Sequence, residues 1–137
     1  MWYASNALAG ATTVTVTATG GDNGLIIHEA SGLGAIDQHT TNRQTAPGTG
    51  IDAVTSGAVT TTGSGEYVFG VCWQMSSIQT ISVGTGYTER ETITVQTALG
   101  RGKSEDKIQS AAGSIATTFT LSVTTTTQTY IATFRDV

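Results

Sequence analysis

The chain's capacity for acid–base, metal or nucleophilic chemistry rests on ten acidic side chains, two histidines and one cysteine. Glu29 lies in a stretch where Leu25, Ile27 and Glu29 alternate with Ile26, His28 and Ala30, the period of a β-strand. Paired with Glu66, Glu89 or Glu91, it could supply the two carboxylates of a glycoside hydrolase, which must stand roughly 5–9.5 Å apart. The tight Glu-x-Asp-x-x-Glu strand motif of one jelly-roll glycosidase class is absent, and Glu89-Arg90-Glu91 is flanked by turn residues, where charges are solvated. Asp22-Asn23 lies between glycines; its oxygens could serve a calcium loop, but a plain turn is the better reading of the pair. Asp37, Asp52, Asp106 and Asp136 are dispersed, and His28 and His39 are too few for a zinc site. No metal and no cofactor is therefore expected. Cys72 has no partner for an intrachain disulfide, and its place within an apolar strand predicts a buried, inert thiol.

Binding is the other chemistry open to these residues. Sandwich proteins hold sugars by stacking exposed aromatic rings on them, and the candidates are Trp2, Tyr3, Tyr87 and Trp73. Trp73 is expected in the core, whereas Tyr87, next to Gly86 at a strand entry, is expected to be exposed. Trp2, Tyr3, Tyr87 and Glu29 are thus the candidate binding residues, and none is expected to be catalytic. Thr13, Thr15, Thr17 and Thr19 have the spacing of an ice-binding face, but a single row fits an ordinary solvent face better.

The elements that must position these residues are strands. In residues 66–75, Tyr67, Phe69, Val71, Trp73 and Met75 share one parity, and Val68, Gly70, Cys72 and Gln74 the other. This is the expected central strand, its aromatic parity facing the core, with Phe69, Val71 and Trp73 packed on Phe119 and Leu121 or Ile131. Further strands are expected over residues 12–19, 25–30, 51–54, 58–62, 77–83, 87–98, 108–112, 114–123 and 128–134. Residues 31–50 and 100–106 are expected to be polar loops, and residues 124–127 a hydroxyl-rich turn. At 137 residues, 12% charged, with 17 glycines and one proline, the chain suits a single all-β domain over residues 1–137, an antiparallel β-sandwich with almost no helix. The net charge of −4 and the acidic residues set among Arg90, Arg101, Lys103 and Lys107 argue against a nucleic-acid partner. No run approaches the roughly 20 apolar residues of a membrane span, and Met1-Trp2-Tyr3 does not open like a signal peptide.

The series Trp2-Tyr3-Ala4, Thr13-Val14-Thr15-Val16, Glu29-Ala30-Ser31-Gly32, Gly84-Thr85-Gly86-Tyr87, Ala111-Ala112-Gly113-Ser114 and Tyr130-Ile131-Ala132-Thr133-Phe134 resembles the Gly/Thr-rich jelly-roll, or concanavalin-like, sandwich modules of large secreted bacterial proteins and phage structural proteins. The resemblance carries over no catalytic residue. It implies further strands before Trp2, and hence an edge or groove to be filled by a strand from another chain. The resulting expectation is a non-enzymatic module of an extracellular or virion assembly, acting by strand pairing with other chains, including self-association, or by surface adhesion. A carbohydrate-binding module is the alternative, and a glycoside hydrolase the third.

Overall fold

The computed structural model describes residues 1–4, 10, 13–17, 19, 24–45, 52–74, 80–94, 100–122 and 125–136. Among these residues ten strands are present: β1 (Leu33–Thr45), β2 (Asp52–Thr55), β3 (Val59–Thr60), β4 (Glu66–Gln74), β5 (Ile81–Val83), β6 (Thr88–Thr94), β7 (Arg101–Gln109), β8 (Ser114–Ile115), β9 (Thr118–Leu121) and β10 (Thr126–Asp136). A five-stranded sheet runs β1-β10-β4-β7-β6, a three-stranded sheet β2-β9-β5, and β3 pairs with β8. Every pairing is antiparallel, and no helix occurs among the described residues. The fold is the expected all-β, antiparallel β-sandwich.

β4 is central, but its faces are reversed from the expectation. Val68, Gly70, Cys72 and Gln74 are buried, whereas Tyr67, Phe69, Val71 and Trp73 are only half-buried. Val68 packs with Ile115 and Ile131, and Cys72 with Val54, Ile81, Phe119 and Leu121. The cause is the closeness of the smaller sheets. At Gly70 a Cβ would run into the Thr117 side chain, so the inner face admits only small or slender residues and the rings must lie outside. The expected packing of Phe69, Val71 and Trp73 on Phe119 is therefore corrected, while the burial of Cys72 is as expected.

Both expected polar loops contain long strands. Within residues 31–50, β1 forms an edge against β10. Its polar side chains reach the neighbouring sheet: Asn42 Nδ2 donates to the Thr55 carbonyl, 3.1 Å, and Gln44 Oε1 accepts from Thr55 N, 2.7 Å. Within residues 100–106, β7 sits between β4 and β6, and Gly102, Lys103, Ser104, Glu105 and Asp106 are buried. Hydrophobicity does not announce this strand because its buried residues are held by polar partners. Glu105 is the main inter-sheet tie, accepting from Gly84 N at 2.7 Å and Thr118 N at 3.2 Å. Conversely, the strands expected at residues 12–19 and 25–30 are not strands where described, and the hydroxyl run includes the start of β10. Asp22-Asn23, Met75 and residues 77–79 and 95–98 lie outside the described residues.

Candidate functional site: the outer face of the large sheet

The displaced rings make a second apolar surface. Tyr67, Phe69 and Trp73 of β4 and Tyr130 and Phe134 of β10 project from the outer side of the five-stranded sheet, all half-buried. Residues 24–28 lie against this side. The Trp73 ring occupies a slot made by three glycines: an added Cβ would strike it at Gly24, and would approach it to 3.2 Å at Gly100 and 2.6 Å at Gly102. Absence of side chains at these positions is what lets the segment and β7 close on the indole. Ile26 reaches toward Gly102. The His28 ring centroid is 4.7 Å from that of Phe69, and Tyr3 meets Phe134 edge-on at 5.9 Å.

One polar contact ties this segment to β7. His28 Nε2 is 2.9 Å from Ser104 Oγ, and the same oxygen accepts from Glu91 N at 3.1 Å, which leaves the serine proton to be donated to a neutral imidazole. Burial holds the His28 pKa below its usual value, against the attraction of Asp106 and Glu91. A serine beside a histidine has the form of a nucleophile and its base, but here Ser104 is fully buried. The nearby Asp106 carboxylate is occupied on one oxygen by Tyr67 Oη at 2.8 Å and Arg90 Nε at 2.6 Å. Burial and that carboxylate push the Tyr67 phenol well above its normal range, so Tyr67 stays a proton donor. The arrangement fastens residues 24–28 and β6 to the sheet.

The expected binding residues are not gathered into one site. Trp2 is 91% exposed and Tyr3 57%, and Glu29 is exposed on the segment just beyond His28. Tyr87 is half-buried: its hydroxyl donates to the Ala116 carbonyl at 2.7 Å, and the Lys107 ammonium lies 4.5 Å above its ring. Tyr87 thus serves the inner side of the sandwich. The carboxylates weighed as a hydrolytic pair also disperse. Glu66 is buried on the inner face, where one oxygen accepts from Thr62 N and Gly63 N at 3.1 and 2.7 Å. Glu89 pairs with Lys103 at 2.7 Å, a bond that lowers its pKa, and Glu91 lies exposed on the edge strand β6. Asp37, held below the usual carboxylate range by Thr62 and Arg135, accepts the Arg135 guanidinium at 2.8 Å and is structural. Among the described residues no three His, Cys, Asp or Glu side chains converge as metal ligands. A shallow groove of about 370 Å³ runs between Met1 and the β1–β10 pair, lined by His39, Thr40, Thr41, Tyr130 and Ile131.

Ser104 and Asp106, the polar heart of the outer face, were not foreseen. The signal available was a size alternation, small or acidic Gly102, Ser104 and Asp106 against Arg101, Lys103 and Glu105, which hydropathy does not register. Comparison of the chain with protein-family models, with curated proteins and with solved structures finds no match.

Proposed function

We propose that the chain is a non-enzymatic β-sandwich module of an extracellular or virion assembly, and that it joins other protein chains through the described residues of its N-terminal part, Tyr3 and 24–28 among them, and the outer face of the large sheet. One observation carries this reading. Among the described residues, the large apolar side chains left in water are Met1, Trp2, Tyr3, Val14, Val16, Leu25 and Ile27, with Ile108 the sole member from elsewhere. Isolated exposed apolar residues are ordinary, but their concentration in one segment marks an interaction surface. That segment also runs without strand partners where described, so its backbone donors and acceptors are available to an added strand. The setting, outside a cell or on a virion, rests on the resemblance to Gly/Thr-rich jelly-roll modules.

The test combines a dye that fluoresces on apolar surface with light scattering over a wide concentration range. The expected result is dye binding by the dilute chain, reduced when Trp2 and Tyr3 are both replaced by Ser or when the chain associates. A chain that neither binds dye nor associates overturns the reading. The fully presented Trp2 ring favours carbohydrate binding as the second reading; a glycan array that is positive and lost with Trp2→Ser would put it first.

A further inference from the structure

Resting on that reading, we infer that the partner is a second copy of this chain, docked outer face to outer face, with residues 24–28 of both copies at the seam. The segment has two sides. Ile26 and His28 point down onto Gly102, Phe69 and Ser104, while Leu25 and Ile27, at the alternate positions, are 48% and 57% exposed. The segment is therefore seated on one wall and lacks another. A second copy supplies an apolar wall of the same kind, and a two-fold axis through the seam lets the row meet itself, as an isologous interface requires.

The area suffices. Trp2, Tyr3, Leu25 and Ile27 together with the half-buried rings around them offer on the order of 600 Å² per copy, taking roughly 150–250 Å² for each fully accessible ring. Two copies would bury about 1,200 Å², the lower end of the range for stable, specific interfaces. Charge is placed at the margin rather than the centre: Arg90 and Glu91 lie along the edge strand β6, and Glu29 lies just past His28. An apolar centre with a charged rim is the anatomy of a protein–protein contact. The inner face cannot serve, since Val68, Cys72 and Ile131 are fully covered within the chain.

The test is light scattering on the full chain, beside a variant with Leu25→Glu and Ile27→Glu together. Both positions are exposed, so folding should survive, as circular dichroism would show. The expected result is a concentration-dependent doubling of mass for the natural chain, abolished in the variant and retained in Ser82→Glu, a control on the exposed side of β5. Trp2→Ser, at a site 91% exposed, provides a second variant should the first misfold, and is expected to weaken the dimer. Association unaffected by the Leu25, Ile27 and Trp2 changes overturns the seam but leaves assembly through another surface. A monomer at every concentration that still binds the apolar dye overturns self-pairing and leaves a different chain as the partner. A monomer that binds no dye overturns both.

Discussion

The two faces of β4 solve the same problem in opposite ways. On the inner face, small residues let the second sheet approach until Gly70 touches Thr117, and burial there is complete: Val68, Cys72, Phe119, Leu121 and Ile131 are at most 1% exposed. On the outer face, large rings are only partly covered, by a segment that holds them through glycine slots and, among the described residues, the His28–Ser104 bond. The lesson is that ring size does not decide which side becomes the core. What decides it is which side can be closed by a rigid partner sheet, since close packing rewards fit more than bulk. The bulky side is left for a looser contact.

Truncation on the two sides should separate them most clearly. Phe119→Ala removes a ring that is 1% exposed and should cost about 3–5 kcal/mol, a large part of a usual margin of roughly 5–15 kcal/mol. Phe69→Ala, on the outer face, should cost less, because its ring is only partly buried and is covered by residues 24–28 and not by a partner sheet. Urea unfolding midpoints of both variants measure this, and equal losses would break the comparison.

How the chain reads as sequence follows the same division. Period-two alternation was enough to place β4, β9 and the middle of β10, and turn glycines set most boundaries, because those signals are local. The facing of β4 was not legible: it depends on Thr117, 47 positions away from Gly70. β7 was missed because its buried positions are filled by residues such as Ser104, Glu105 and Asp106, whose burial is licensed by partners on other strands, and β1 because its half-buried Asn42 and Gln44 are polar and held by Thr55. Trp2 and Tyr3, named as candidates from the sequence, are exposed, whereas Tyr87, expected to be exposed, is half-buried because its hydroxyl finds its acceptor on Ala116, which is remote in sequence.

Glycine substitutions sharpen the contrast at smaller scale. Gly70→Ala places a methyl group against the Thr117 side chain, which is fully buried, and overpacking of this kind costs about 1–3 kcal/mol. Gly102→Ala also meets a ring, Trp73, at 2.6 Å, but the far side of that ring is covered only by the strandless residues 24–28, which can give way. The expected loss is under about 1 kcal/mol, as for a site that relaxes, accompanied by a change in tryptophan emission that Gly70→Ala does not cause.

Acidity should act on the two faces with opposite sign. Burial pushes the Glu105 carboxyl up to about 7 from 4.5, against the N–H groups of Gly84 and Thr118 and the charge of Lys107. A carboxylate raised in the folded state binds more protons there, so its contribution is complete below about pH 4.5 and is lost as pH rises through about 7. Glu105→Gln should flatten that slope, worth roughly 1–2 kcal/mol between those limits. His28 is depressed instead, so its tie to Ser104 is favoured above pH 6.5 and weakens as pH falls below that value. Its ring resonances, followed by NMR, should show the outer contact loosening toward acid while the inner sheets tighten.

The smallest expected signal is an absence, and it reports on which face opens. The Cys72 thiol is fully buried on the inner face, and burial pushes its pKa up to about 12, so neither access nor thiolate is available to a disulfide reagent at neutral pH. The folded chain should label only as fast as the inner face opens. Phe69→Ala acts on the outer side and should leave the labelling rate within a few-fold of the natural chain, since the two inner clusters keep every contact. Gly70→Ala pries the sheets apart beside the thiol and should speed labelling by roughly 5–150-fold, the Boltzmann equivalent of about 1–3 kcal/mol when the whole cost falls on the opening of the inner face. Equal acceleration by both variants would mean that the two faces open as one unit, and that the sheet does not separate a rigid side from an adaptable one.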